Sequence, residues 1–349
     1  MTTRERFRRT MAFQPVDRAF LFEFAPWWDQ TVERWKNEGL RIERRPPLNE
    51  FQSLLLQFGL DLHLQSWISV KTRETPQPKW HGAPLCGTIA EYERIRPTLY
   101  PEPAVNAPLL RTYAEYQARG EAIVWITLDG PFWGPRGLLG IEPHLYAFYD
   151  QPELMHRMNE DIAEFNLRAI RETLEILTPD FMTFAEDMSY NHGPMLSEAM
   201  FDEFLLPYYR RMVPPLRERG VRVIIDSDGD VTEAIPWFQR AGAEGILPLE
   251  RQAGVDLAKL REAFPDFLFL GHYDKMVMPK GEAAMRAEFE RLLPLMRRGG
   301  FLLSVDHQTP PGVSLSQYET YVKLYKEYAG ACDACGTCNL PKDAPSYIK

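Results

Sequence analysis

Cysteine is scarce in this chain. There are four in 349 residues, three of them crowded into "ACDACGTCNL" near the C-terminus and the fourth, Cys86, alone. That excludes a framework of structural disulfides and points to a reducing compartment. Long hydrophobic runs are missing too: none approaches the ~20 residues of a membrane span. The opening stretch, "MTTRERFRRTMAFQPVDRAF", is too charged for the apolar centre of a secretion signal, and Glu5 and Asp17 argue against a transit peptide. A cytoplasmic address is the expectation. Positive charge is in deficit, 40 Lys and Arg against 49 Asp and Glu, a net charge of -9. Neither nucleic acid nor an anionic membrane is then the expected main partner. No repeat or low-complexity tract appears, and no Gly-rich phosphate fingerprint follows the first strand candidate, which weakens a dinucleotide-binding reading.

What is present is an ordinary globular mixture, 45% hydrophobic and 26% charged, at a length that suits a single α/β barrel. Short apolar runs alternate with helix-period segments, the pattern of repeated βα units. Eight strand candidates stand out: "AFLFEFA" (19–25), "LHLQSWIS" (62–69), "AIVWITL" (122–128), "DFMTFAED" (180–187), "VRVIIDSD" (221–228), "AEGILPLE" (243–250), "DFLFLGHYD" (266–274) and "GFLLSVDH" (300–307). Helix starts are marked by Thr88 with Glu91, Asp230 with Glu233 and Ser314 with Gln317, by Asp150 with Pro152, and by Ser197. The expected fold is a (β/α)8 barrel over residues 1–330 with extra N-terminal helices; an open doubly wound sheet is the alternative. Residues 71–120, rich in Pro and charge, read as an insertion over the barrel mouth, and 331–349 as a Cys-containing tail.

In such barrels function sits at the C-terminal ends of the strands. Those ends here carry Glu23, Asp129, Glu186 with Asp187, Asp226 with Asp228, Glu250, His272 with Asp274, and Asp306 with His307. Nearly every strand delivers an acid or a histidine to one rim. In "GVRVIIDSDGD" an apolar run breaks off into Asp226, Asp228 and Asp230 at alternate positions. Extended chain puts Asp226 and Asp228 on one side. Their repulsion must be offset by a metal, a cationic ligand, shared protons or open water. Asp230 is expected to cap a helix. "FAEDMSYNHGPMLS" adds Tyr190, Asn191 and His192 over the pocket, and Trp27, Trp28 and Trp133 follow strands one and three as candidate walls for an apolar part. Cys332, Cys335 and Cys338 have the spacing of a thiolate metal site with three ligands; a redox pair or plain exposed thiols is the other reading.

The stretches "RERFRRTMAFQPVDR", "EDMSYNHGPMLSEAMFDEFLLPYYRRM", "VIIDSDGDVTEAIPWFQRAGAEGILPLE" and "GGFLLSVDHQTPPGVSLSQYETYVKLYKEY" resemble the uroporphyrinogen decarboxylase-like superfamily. That group includes true decarboxylases and the methyltransferases of corrinoid-dependent methyl metabolism, and its fold is a (β/α)8 barrel. The resemblance departs from the decarboxylases: neither their Arg-rich carboxylate grip nor an "FSD"-like motif is evident, and "FAPWWDQTVERW" follows the first strand. Where the thiol-methylating members bind zinc through His-x-Cys and a later Cys, this chain has Asp226, Ser227, Asp228 and the "VDHQ" around Asp306 and His307. The resemblance therefore implies a methyltransferase or demethylase that moves a methyl group from a small donor to a corrinoid on a partner protein. Asp228, His307, Glu186 and His192 are its catalytic candidates. Glu23, Trp27, Trp133, Asp187, Glu250 and His272 are candidates for substrate contact. Asp226, Asp228 and His307 are candidates for zinc or another divalent metal. A homodimer is possible. The rival readings are a decarboxylase or lyase of a tetrapyrrole or other polycarboxylate, and a non-catalytic tetrapyrrole or corrinoid binder.

Overall fold

The computed structural model describes residues 1–332. Chain order runs α1 (Thr3–Met11), α2 (Asp29–Asn37), α3 (Glu50–Phe58), β1 (Leu62–Ile68), α4 (Ile89–Ile95), α5 (Ala107–Ala118) and β2 (Ala122–Asp129). Then come α6 (Trp133–Leu139), α7 (Ile141–Asp150), α8 (Pro152–Ile176), β3 (Phe181–Ala185), a small hairpin of β4 (Ser189–Tyr190) and β5 (Gly193–Pro194), α9 (Glu198–Phe204) and α10 (Leu206–Glu218). The last third holds β6 (Arg222–Ser227), α11 (Ile235–Arg240), β7 (Gly245–Pro248), α12 (Leu257–Ala263), β8 (Leu268–Tyr273), α13 (Glu282–Arg298), β9 (Phe301–Val305) and α14 (Leu315–Gly330).

Seven parallel strands pair in the order β1, β2, β3, β6, β7, β8, β9. Helices cover the outside, so the strands are buried on both faces and read as continuous apolar runs; all eight residues of β2 are buried. Seven strand candidates form strands. The first, 19–25, forms none. It lies instead between β1 and β9, buried from Phe20 to Phe24, and is tied to both edges by scattered bonds rather than a ladder. On the β1 side Asp61 N donates to Leu21 O (3.0 Å), and the His63 ring contacts Glu23 O (2.6 Å). On the β9 side Phe24 N donates to Ser304 Oγ (3.2 Å), and the Tyr325 hydroxyl joins Phe22 N, Phe20 O and Leu303 O. The eighth position is thus filled by side-chain bridging, and the fold is an α/β barrel of this kind.

The N-terminal end of the barrel is plugged by α1. Phe7 and Met11 enter the interior cluster with Phe20, Phe22, Trp125 and Phe181. Arg4 and Arg8 reach Asp180 just before β3 at 2.7 and 3.1 Å, and Arg18 grips Asp61 just before β1 at 2.7 Å on both oxygens.

Thr88 and Ser197 accept from Glu91 N and Met200 N, and Ser314 with Gln317 forms a complete capping box. Two helix starts differ from expectation. Asp230 accepts from Thr232 N at 3.0 Å, closing a local turn, so α11 begins only at Ile235. Asp150 ends α7, and α8 opens at Pro152 with no side-chain cap. Residues 82–86 lie against α6 and the start of α7, and the stretch from Tyr92 to Val105 runs along α8, where Arg96 pairs with Asp161 (2.8 Å) and Glu172 accepts from Ala104 N (2.9 Å). No helix among the described residues is long and apolar enough to cross a membrane.

Candidate active site at the barrel mouth

Strand parity decides which rim residues face inward. On β6 the interior residue Ile224 is followed at steps of two by Asp226 and Asp228. On β3 Phe181 is interior, so the same count brings Asp187 to the mouth and turns Glu186 outward. Asp187 takes a left-handed backbone (φ 42°), and its carboxylate accepts from Arg136 Nη1 at 2.7 Å. Glu250 accepts from Gly229 N at 3.0 Å. Gly229 itself is left-handed (φ 82°), and a Cβ there would sit 2.6 Å from the backbone between Ser189 and Tyr190. Only glycine lets the chain turn between Asp228 and the hairpin.

Four carboxyls, those of Asp187, Asp226, Asp228 and Glu250, therefore share one end of the barrel. Among the described residues, neither Asp226 nor Asp228 has a hydrogen-bond donor on its carboxyl; the nearest partner of Asp228 is His307 Nε2, 3.7 Å from Oδ2. Both side chains of that pair remain about one-third exposed, 36% and 34%. Burial, with the Asp187 charge added, pushes Asp226 up to about 7. Burial and the charges of Glu250, Asp187 and Asp226 push Asp228 up to about 8, while Lys275 pulls it back. Asp187 is raised by burial against the pull of Arg136, and His307 is lowered by burial and by Lys275. Lys275 is itself committed to the fully buried Asp306 at 2.9 Å, which also accepts from Arg251 N at 2.9 Å.

The opposite side of the mouth is aromatic. Trp67 shares the inward parity of His63 and Gln65, is 51% exposed, and donates from Nε1 to Asp129 at 3.1 Å. Phe24 meets His307 edge-on at 6.5 Å between ring centres. Beneath lies a polar layer in which Gln65 donates to Thr127, and Thr127 bonds Thr183, each at 2.8 Å.

Several residues expected at the site stand elsewhere. In "AFLFEFA" the phenylalanines face inward, so Glu23 faces outward; it is fully buried and accepts from Tyr321 on α14 at 2.8 Å. Trp27 packs into the core against Trp35, Phe51, Phe58 and Tyr318. Glu186 is fully buried, braced by Phe132 N (2.8 Å), Trp133 N (3.0 Å) and the Tyr209 hydroxyl. Burial raises it to about 7, with the hydrogen bonds pulling the other way. Trp133 is half-buried with Arg136 over its ring, 5.3 Å from the centre. His272 is turned away by Gly271 (φ 105°) and its own left-handed backbone (φ 68°), which break the alternation of β8. Its ring meets Leu249 O at 3.0 Å and Arg291 on α13 at 3.3 Å, and burial lowers it to about 4. His192 is exposed at the tip of the hairpin, against Tyr190. Trp67, Arg136, Lys275 and Tyr209 were not singled out from the sequence. Trp67 was detectable by its parity; the others lie on helices or loops, where no period points at the mouth.

The donor set does not fit a metal of the expected kind. Among the described residues no group of three or more His, Cys, Asp or Glu side chains converges as ligands; at Asp226, Asp228 and His307 the only close pair is Asp228 with His307. Cys332 is half-buried, its thiol pushed up to about 11 by burial, and Cys335 and Cys338 lie outside the described residues.

No curated protein matches the chain in sequence. Solved structures that resemble it do so loosely. A putative vitamin-B12-independent methionine synthase from Listeria monocytogenes is 12% identical over 93% of this chain and 99% of that one, at a TM-score of 0.45. A chitobiase from Flavobacterium johnsoniae is 10% identical over 90% and 52%, at 0.37, and a Xaa-Pro dipeptidase with bound methionine is 10% identical over 78% and 72%, at 0.34. At such scores these likenesses carry no argument. The family model described as uroporphyrinogen decarboxylase (URO-D) matches residues 87–328, well over half the chain, including every strand from β2 to β9, and the protein belongs to that family.

Proposed function

We propose that this protein is a methyltransferase that takes a methyl group from a small donor and delivers it to a corrinoid on a partner protein. The wider superfamily contains both decarboxylases and methyltransferases, and its members are usually enzymes. One observation carries the choice: Asp226 and Asp228 stand at the mouth without hydrogen-bond partners among the described residues and hold their protons near neutral pH. Breaking a methyl–heteroatom bond leaves an alkoxide or amide, which departs poorly unless protonated. Asp228 would give its proton to that heteroatom as the methyl leaves, and His307, 3.7 Å away, would return one to the carboxylate. The partner's corrinoid supplies the nucleophile. Trp67 and Phe24 would hold the apolar body of the donor.

The polycarboxylate reading finds less support. Arg136 is committed to Asp187 and Lys275 to Asp306, so neither cation is free to grip a substrate carboxylate, and the acids around them would repel one. The test is anaerobic: reduced cobalamin is mixed with the protein and, in turn, methoxylated aromatics, methylamines, methyl thiols and methanol, and the visible spectrum is followed. Loss of the reduced-corrinoid spectrum with one donor class is expected. No change with any donor, repeated with a corrinoid protein as acceptor, would overturn the reading in favour of a lyase or a binding protein.

A further inference from the structure

His272 ends β8 where the alternation expects an inward side chain, yet it faces away from the mouth. The end of β7 departs at the same level. Leu247 lies in the interior cluster, so continued alternation would turn Leu249 inward and Glu250 outward. Instead Leu249 takes a left-handed backbone (φ 62°) and is buried in the outer core, and the carboxylate of Glu250 accepts from Gly229 N at the mouth. Leu249 and His272 (φ 68°) each lie four residues beyond the paired Gly245 and Leu268, so the two strands break step side by side. Histidine tolerates that conformation; leucine adopts it only where its surroundings impose it. Between the two, the Leu249 carbonyl accepts from His272 Nδ1 at 3.0 Å.

We propose that His272 is a positioning residue: by holding the Leu249 carbonyl it turns the end of β7 and delivers Glu250 to the mouth beside Asp228. The proton on its ring has one place to go. A carbonyl can only accept, so Nδ1 carries the hydrogen; a guanidinium can only donate, so Nε2, 3.3 Å from Arg291 Nη1, is bare. Arg291 is fixed in turn by Glu288, which accepts from its Nη2 and Nε at 2.6 and 2.8 Å and from Asp274 N at 3.0 Å. Among the described residues the charged groups that face the ring are Arg291 and Glu288 from α13 and Arg251 from the turn after β7; burial and the Arg291 charge keep the ring neutral. On the far side of Glu250, Arg251 N donates to Asp306 at 2.9 Å, so the turn is pinned on both sides of the residue it presents. Gly271 permits the close approach of the two strands: a Cβ there would sit 1.9 Å from Pro248 O. Glu250 matters at the mouth because its charge is foremost among those that keep the proton on Asp228. That kinetic consequence rests on the methyl-transfer reading; the placement of Glu250 does not.

The Gly229 amide reports on Glu250 without any assay of methyl transfer. His272→Gly removes the ring at a position where glycine takes the backbone freely. Hydrogen exchange at the Gly229 amide should then quicken about tenfold or more, the share of a hydrogen bond to a charged group. His272→Asn keeps the left-handed backbone and offers an amide N–H to the Leu249 carbonyl, so it should restore most of that protection. Glu250→Ala should quicken the same amide, and combining it with His272→Gly should bring no further change. Unchanged exchange in the glycine variant, or an asparagine variant no better protected than the glycine one, would overturn the proposal. Turnover by His272→Gly should fall about tenfold at unaltered KM. Quickened exchange without that loss upholds the placement and counts against Asp228 as the acid. The unaltered protein gives a further test that no misfolded variant can spoil. Its ¹⁵N-histidine spectrum should show His272 protonated at Nδ1 and bare at Nε2 near neutral pH, and the opposite tautomer would sink the proposal.

Discussion

The two ends of this barrel are built from the same residue types in opposite settings. At the N-terminal end, Asp61 and Asp180 are each gripped by arginines, and Glu244 by Arg222, with backbone N–H groups completing the shells. At the C-terminal end, Asp226 and Asp228 have no donor among the described residues, and the cations that stand nearby are committed to Asp187 and Asp306. An acid that is matched contributes to stability, and one left unmatched in a partly dry site stores a proton that chemistry can use. The difference is one of partners rather than of charge count.

The sharpest way to break this comparison is to neutralise one acid at each end. Asp228→Asn should cut methyl transfer by about 10²–10⁴-fold, the usual share of a general acid, while leaving the thermal midpoint equal or higher. Turnover that survives would remove the rim aspartates from the mechanism. Asp180→Asn should do the reverse. Leaving Arg4 and Arg8, whose side chains are 21% and 57% exposed, facing a neutral amide costs about 1–3 kcal/mol in denaturant unfolding, with turnover per folded molecule unchanged.

Next in size is the response to pH. The folded Asp226 carboxyl keeps its proton to about pH 7, whereas in the unfolded chain it is lost near pH 4. Its contribution to stability is therefore complete below about pH 4 and is lost as pH rises through about 7. The wild type should fall behind Asp226→Asn by about 1–2 kcal/mol between those limits, after allowing for water at the mouth. Parallel stability curves for the two proteins would show that the carboxyl is already ionised when folded. The smallest effect concerns the aromatic wall: Trp67→Ala should raise the KM for an apolar donor by about fivefold, close to 1 kcal/mol of lost contact, with kcat little altered. An unaltered KM would move the donor to the other side of the mouth.

The strands were legible because a parallel strand covered on both faces must be apolar along its whole length, as β2 is. The 19–25 segment has the same composition and a strand's alternation, yet forms no ladder, because its place is held by Tyr325, Ser304 and His63, which come from distant parts of the chain. Parity could have been read further. It separates Asp226 and Asp228 from Glu23, whose neighbours Phe22 and Phe24 face the interior. It fails at His272, where Gly271 and a left-handed backbone break the period.

Sequence alone determined the α/β architecture, the acid-rich rim, the inward pair at the end of β6 and the membership of a superfamily, since each depends on local period or on an ordered set of motifs. Tertiary structure decided which acids are matched. The arginines of α1 lie more than 170 residues from the aspartate they hold, and Lys275 lies 31 residues from Asp306. Whether a buried carboxyl keeps or sheds its proton depends on what stands within a few ångströms of it, and only the folded chain brings those neighbours together.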